Sequence, residues 1–233
     1  MRIYQVTDTH VSTDPNAPAT RNFATQMAWI GDNPADLLVI SGDLAEEEGS
    51  EAIYELMAGY LPEDQPTAII PGNHDDPLML WNIFGERHCH DPSFFYQFPL
   101  DDIDLVFANS ASGALPGDQL RTIAKVRPGS VLFVHHPTRV LSPGGFMDTN
   151  YPLADLDQVH QALKDSPVKH VFCGHFHCEH HVDDGYELHV TPSAAFSIDL
   201  SAPDFSRTED VVPVRVINID GSDCRTGIEY LAN

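Results

Sequence analysis

Apolar residues along this chain come in short β-branched runs, each closed by a glycine or a polar residue. Runs at residues 3–7, 37–41, 67–70, 103–108, 131–134 and 168–173 have the length and composition of strands. Others follow at 187–191, 195–198 and 212–219, with a weak last strand near Ile228. Between the early runs the apolar period lengthens to that of a helix. Phe23, Met27 and Ile30 fall at i, i+4 and i+7, and Gly31 is placed to end that helix. Ser50 is a predicted N-cap for a second helix carrying Ile53, Leu56, Met57 and Tyr60. A third helix is predicted near Leu153, Leu156, Val159 and Leu163. Strands alternating with helices predict an α/β layered fold. The strand-rich tail predicts a second sheet or antiparallel additions to the first. No repeat, low-complexity stretch or linker interrupts residues 1–233, so a single domain is expected.

Composition narrows the possible partners. A hydrophobic share of 42% is that of a chain that folds. With 35 acidic and 12 basic side chains the formal charge is −23. Binding to nucleic-acid polymers or anionic membranes rests on Lys and Arg neutralising phosphates, so both partners are excluded. No apolar run reaches the ~18 residues of a membrane helix, and no basic, long-apolar leader follows Met1. Cys89, Cys173, Cys178 and Cys224 form no CxxC pair, and Cys173 and Cys178 lack a second ligand pair at zinc-finger spacing. Reduced thiols in a cytoplasmic protein are expected. The presence of 13 histidines in so acidic a chain changes the picture more than the charge does.

Those histidines fall at strand ends. Asp8-Thr9-His10 follows the first run, Gly42-Asp43 the second and Gly72-Asn73-His74-Asp75 the third. His135-His136 follows the run from Val131, and Gly174-His175-Phe176-His177 the run from Val168. In open α/β sheets ligands bind beyond the carboxyl ends of the strands, so these groups are expected to converge. Asp8, His10, Asp43, Asn73, His135, His175 and His177 offer two carboxylates, one amide oxygen and four imidazoles. That is too many donors for one tetrahedral ion. They suit two ions sharing a carboxylate, with Mn, Fe or Zn fitting the mixed oxygen and nitrogen set. Two such ions form a device for in-line displacement at phosphorus. An extended backbone would point Asp8 and His10, or His175 and His177, the same way. Glycines before Asp43, Asn73 and His175 allow sharp turns.

The ordered blocks D-x-H, G-D, G-N-H-D, a lone His and G-H-x-H resemble the calcineurin-like metallophosphoesterases, over about residues 1 to 200. The resemblance implies a four-layer α/β/β/α sandwich of two mixed β-sheets flanked by helices. Within the superfamily the chain looks most like the class III cyclic nucleotide phosphodiesterase and glycerophosphodiesterase branch. His135-His136-Pro137, residues 113–120 and Thr191-Pro192-Ser193 carry that likeness, while Thr138 departs from the branch's His-His-Pro-Pro.

By resemblance, one metal is held by Asp8, His10, Asp43 and His177, and the second by Asp43, Asn73, His135 and His175, with Asp43 bridging. Two divalent ions carry +4 against −2 from two carboxylates, which makes a positive pocket for a small phosphodiester. A metal-bridging hydroxide would be the nucleophile. His74 would protonate the leaving alkoxide, with Asp75 orienting it or capping the next helix, and Asn73, His74 and His136 would contact substrate. The implied activity is hydrolysis of a small phosphodiester such as a 3′,5′-cyclic nucleotide. A phosphomonoesterase using the same ions is the alternative, and a non-catalytic metal-binding scaffold is the third reading. The resemblance is compatible with a homodimer. Outside the pattern, His180, His181 and His189 are expected at the surface, as are His88-Cys89-His90 and Glu46-Glu47-Glu48. Phe94, Phe95, Tyr96 and Phe98 are expected to form a core strand.

Overall fold

A computed structural model of the chain describes residues 1–221 and 223–232. The first sheet contains β1 (Arg2–Val6), β2 (Leu37–Ser41) and β3 (Thr67–Ile70), all parallel. The tail strands β10 (Pro213–Asp220) and β11 (Asp223–Tyr230) extend it antiparallel, giving the order β11-β10-β1-β2-β3. The second sheet has the order β4-β5-β6-β7-β9-β8. Its strands are β4 (Tyr96–Leu100), β5 (Ile103–Ala108), β6 (Ser130–Val134), β7 (Val168–Cys173), β8 (His180–Asp183) and β9 (Glu187–Val190). Strands β2, β3, β5 and β6 are buried at every position. This explains why they read as continuous apolar runs rather than as alternating ones.

Helices cover the outer faces. Over the first sheet lie α1 (Pro18–Asp32), α2 (Glu51–Tyr60) and α3 (Pro77–Cys89), which bury Phe23, Met27, Ile30, Ile53, Tyr54 and Leu80. Over the second lie α4 (Gly117–Ile123), α5 (Phe146–Asn150) and α6 (Leu156–Lys164), which bury Ile123, Met147, Val159 and Leu163. Between the sheets, Ile3, Val39 and Ile70 meet Phe107, Phe133 and Phe172. The result is an α/β/β/α sandwich of two mixed sheets. Full burial of such side chains stabilises by about 1.5–3 kcal/mol each, so the inter-sheet layer is a principal source of rigidity for what it carries.

Across the second sheet, one aromatic ladder runs in register from edge to edge. Tyr96, Phe107, Phe133, Phe172, His189 and His181 pair across adjacent strands, with neighbouring rings stacked 4.7–5.5 Å apart. Tyr96 and Phe98 thus pack on the inter-sheet core, but from the half-buried edge strand β4, and Phe94 and Phe95 precede it rather than sharing a core strand.

Several elements differ from the sequence reading. Ser50 does cap α2, accepting from Ile53 N. Helix α3 follows Asp75 as expected, whereas helices α4 and α5 and strand β8 are absent from the sequence reading. Residues 195–198 do not form a strand, because Ser193 Oγ accepts from Ala195 N and Phe196 N and turns the backbone aside. His189 is buried rather than at the surface, since it occupies an inward-facing ladder position. Cys89 is also buried, at the end of α3 and against Leu80, not on an exposed loop.

Candidate metal centre and active-site cleft

Parallel strands that share a direction deliver their C-terminal residues to one rim. Asp8 follows β1, Asp43 follows β2 and Asn73 follows β3, while His135 follows β6 and His175 follows β7. The two rims are joined directly. His175 N donates to both Asp8 carboxylate oxygens (3.0 and 2.9 Å), and His135 Nδ1 reaches Ser41 O at the end of β2 (3.0 Å). A Cβ on Gly174 would collide with Thr7 and the Asp8 carboxylate, and one on Gly72 with Asp43.

Two donor groups result. Asp8, His10, Asp43 and His177 converge in one, and Asp43, His135 and His175 in the other, all of them buried. Asp43 belongs to both. Its Oδ2 lies 3.3 Å from His135 Nε2 and 3.9 Å from His10 Nε2, while Oδ1 accepts from His74 N at 2.9 Å. His177 Nε2 is 3.2 Å from Asp8 Oδ1.

The motifs reach this arrangement differently from the sequence expectation. Asp8, His10, Asp43, His175 and His177 have φ of 51°, 42°, 49°, 64° and 52°. They are left-handed, so Asp-x-His and His-x-His are not extended here. Each such residue costs of order 1–3 kcal/mol, and such strain persists only where the surroundings fix it. Buried hydrogen bonds do the fixing. Thr7 Oγ1 donates to Asp8 Oδ2 (2.8 Å), Ser193 Oγ donates to Asp8 O (2.7 Å), and Asp8 N donates to Gly42 O (2.9 Å).

Every ligand-type imidazole is oriented by a backbone carbonyl. Nδ1 of His10, His135 and His177 faces Glu46 O (3.3 Å), Ser41 O (3.0 Å) and Phe196 O (3.0 Å) respectively. For His175 it is Nε2 that faces Tyr151 O, at 3.1 Å. A carbonyl only accepts, so these nitrogens carry the protons and the opposite ones present lone pairs to the site. His135 Nε2 is buried with no hydrogen-bond partner. His10 Nε2 and His177 Nε2 face each other at 3.1 Å. Lone pairs set so close are reconciled by a cation between them, so the donor set fits metal ions. Electrostatics agree. Burial alone would raise Asp8, but His177 and His135 outweigh it and bring it down to about 2. Burial, with His177 beside His10 and His135 beside His175, pushes both imidazoles down to about 4. His135 differs: against burial, Asp43 and Asp8 hold it up to about 9, so without metal its Nε2 carries a proton that a bound ion would displace.

Beside this floor opens a cleft of about 600 Å³, a volume suited to a small ligand. Asn73 and His74 line it, on the turn after β3. The His74 ring stands edge-on to His10, 5.0 Å away, with its Nδ1 on Glu47 O at 2.7 Å. Asp75 and His136 sit elsewhere than expected. The Asp75 carboxylate accepts from Gly72 N, Leu44 N and Tyr54 OH, tying the two turns that carry Asp43 and Asn73. It neither touches His74 nor caps α3, a role taken by Asp76 (2.9 Å to Met79 N). Burial and Asp43 push Asp75 up to about 6. His136 is buried on Ser110 Oγ (2.8 Å) and stacks obliquely on His175 at 4.2 Å, behind the ligands rather than in the cleft. Phe94 to Phe98 are likewise remote from the cleft. Its aromatic wall comes from Phe146, Tyr151, Phe196 and Phe205, with Arg207 over the Phe196 ring at 4.3 Å. Those residues were missed because they lie on a one-turn helix or on irregular segments, too short to show a period. The acidic loop after Asp43 is exposed as expected, but its Glu46 and Glu47 carbonyls aim two histidines. Thr138 is buried, bonded to Tyr186 OH at 2.8 Å. That bond links the loop after β6 to His160 of α6, which sits 3.0 Å from the same hydroxyl.

A phosphoesterase of the sandwich type is what this fold and donor set define. Residues 1–179 match the calcineurin-like phosphoesterase family, and the chain belongs to it. The family works through a binuclear metal site, and the chain is a metal-dependent hydrolase. A "Probable cyclic nucleotide phosphodiesterase" of Fibrobacter succinogenes is 33% identical over 211 residues, covering 85% of this chain and 82% of the relative. The 3′,5′-cyclic adenosine monophosphate phosphodiesterase CpdA of Escherichia coli K12 is 25% identical over 236 residues, covering 90% and 85%. The crystal structure of a dimetal phosphatase from Danio rerio shares the fold, with a TM-score of 0.66 over 93% of this chain and 94% of that one, at 11% identity.

Proposed function

We propose that this protein hydrolyses a 3′,5′-cyclic nucleotide or a similarly small phosphodiester in the cleft beside Asp43. The carrying observation is the shared carboxylate Asp43 between two buried donor groups, on the floor of a cleft with an aromatic wall. Asp8, His10, Asp43 and His177 would hold one ion, and Asp43, His135 and His175 the other, with Asn73 contributing its amide oxygen from the cleft edge. When bound, two ions of Mn, Fe or Zn type supply Lewis acidity and lower the pKa of water.

The chain's own groups do the rest. Glu47 O holds the Nδ1 proton of His74, so Nε2 is the atom left for substrate. Carrying a second proton there, His74 protonates the leaving alkoxide as the P–O bond breaks. Asp75 is a positioning residue that fixes the Asp43 and Asn73 turns, and His136 backs the His175 ring. Phe205, half exposed at the cleft wall, offers a flat apolar face on which a nucleobase stacks, while the Phe196 ring beside it is covered by Arg207. The names of the relatives in Fibrobacter and Escherichia support the diester reading.

The test is a substrate panel on purified, metal-loaded protein: bis-(p-nitrophenyl) phosphate, the corresponding monoester and 3′,5′-cyclic nucleotides. Preference for diesters is expected. Preference for the monoester would make the protein a phosphomonoesterase, and absence of turnover on all of them would leave the scaffold reading. Cytoplasmic residence, suggested by four free thiols, is checked by fractionation of the source cells; recovery outside the cytoplasm overturns it.

A further inference from the structure

Where the aromatic ladder reaches β9 and β8, its inward face changes from phenyl to imidazole and carboxylate. His170 on β7 pairs across to Glu187 on β9, and His189 on β9 pairs across to His181 on β8. Here the strands are extended, so Glu187-x-His189 puts both side chains on one face, as strand geometry requires. Glu187 Oε2 lies 3.7 Å from His170 Nδ1, 3.7 Å from His189 Nε2 and 3.7 Å from His181 Nε2. Donor atoms of His170, Glu187 and His189 all lie within 4.8 Å of one another.

Ordinary cross-strand pairing does not account for this. At 3.7 Å none of the three contacts is a hydrogen bond. His170 Nδ1 and His189 Nε2 are buried without any hydrogen-bond partner, in residues only 4% and 6% exposed. Leaving such a group unsatisfied costs about 1–3 kcal/mol each. Stacking on Phe172 explains the tilt of the His189 ring, yet not why three ring nitrogens converge on one oxygen. The other carboxylate oxygen faces an exposed lysine instead, 3.7 Å from Lys169 Nζ. A tetrahedral ion with bonds of about 2.0–2.1 Å spaces its donors about 3.4 Å apart, close to the 3.7 Å between Glu187 Oε2 and each ring nitrogen. Two or three imidazoles and a carboxylate select a borderline ion such as Zn²⁺ over Mg²⁺ or Ca²⁺. A cleft of about 490 Å³ opens onto His181, His189 and Glu187, which supplies the access route. Arg215 also borders it, but its guanidinium is engaged by Thr191 Oγ1, Thr226 Oγ1 and Val190 O, and Glu179 faces it across the cleft.

We propose that His170, Glu187 and His189, with His181 closing the set, form a further zinc-class metal site, separate from the phosphoesterase centre. It seals the β7-β9-β8 edge against the tail of the first sheet. Because the phosphoesterase centre also takes metal, the readout is a difference in stoichiometry between variants. Metal-stripped full-length protein is dialysed against Zn²⁺ alone, and bound zinc per chain is measured by elemental analysis and by competition with a chromophoric chelator. Glu187→Gln and His189→Ala should each bind one zinc fewer than the parent, whereas His180→Ala, whose side chain lies outside the set, should match the parent. Refilling with Co²⁺ should give a tetrahedral absorption band in the parent that Glu187→Gln loses. Should His189→Ala fail to fold by circular dichroism, Glu187→Gln and the exposed-residue variant His181→Ala decide the matter. Unchanged zinc stoichiometry and an unchanged cobalt spectrum in Glu187→Gln would overturn the site, whether or not the phosphoesterase reading stands.

Discussion

Two histidine clusters in this protein use the same residue types in opposite ways. At the strand ends, five of the seven ligand-type residues are left-handed, and every imidazole is aimed by a backbone carbonyl. At the β7-β9-β8 edge, Glu187 and His189 sit on regular strand, and His170 Nδ1 and His189 Nε2 lack any hydrogen-bond partner. The first arrangement stores backbone strain that Thr7, Ser193 and the neighbouring strands counter. The second costs the backbone nothing and follows from alternation alone. A binuclear centre needs its donors turned inward from two sheets, which extended strands cannot do. A single ion at a sheet edge needs only cross-strand neighbours.

The largest expected effect separates the two clusters. Asp43→Ala removes the carboxylate common to both strand-end groups, so turnover should fall by more than about 10³-fold. Its metal content should drop while the zinc bound at Glu187 remains. Loss of all metal together would mean the clusters are not independent.

His74→Ala should lower turnover by about 10²-fold or more, most strongly for poor leaving groups, with metal content unchanged at both clusters. Metal loss in that variant would show His74 to be structural.

Acid should weaken the metal-free protein. His10 and His175 are held down to about 4 in the folded state, and His189 down to about 3. Unfolded imidazoles take their protons near 6.5, so between pH 6.5 and 4 the unfolded chain binds more protons and stability falls as pH falls. Asp75, raised to about 6, opposes this by one group. His135 carries its proton in both states over that window and contributes no slope. A full shift of this size is worth roughly 3 kcal/mol per buried imidazole. Chemical denaturation in chelator at pH 7 and pH 5 checks it, and equal midpoints would refute the assignment of neutral, buried imidazoles.

The smallest effect concerns the cleft wall. Phe205 is half exposed, so Phe205→Ala should leave the fold intact while raising KM for cyclic nucleotides about tenfold, as the loss of one stacking face implies. An unchanged KM would place the base elsewhere.

Much of this was legible in the sequence, for a physical reason. Residues 37–40 and 131–134 are buried on both faces and apolar throughout, and the switch to Asp and His beyond their ends marks the rim. The backbone conformation at that rim was not legible. Alternation would extend Asp8-Thr9-His10, whereas tertiary hydrogen bonds hold it left-handed. Alternation did govern Glu187-Leu188-His189, where no glycine drew attention to the pair. Asp75 and His136 stand beside the strand-end ligands in sequence, but their partners Tyr54 and Ser110 are distant along the chain, so their contacts were not legible. The aromatic wall was missed because Phe146, Phe196 and Phe205 lie on short or irregular segments with no period to read.

The central claim is tested most directly by adding Mn²⁺ or Zn²⁺ stepwise to metal-stripped protein while following hydrolysis of a 3′,5′-cyclic nucleotide. Activity that appears only as the strand-end centre fills, and is absent from Asp43→Ala at every metal concentration, is the predicted result. Cyclic nucleotide hydrolysis that persists in the stripped protein, or survives in Asp43→Ala, would contradict it.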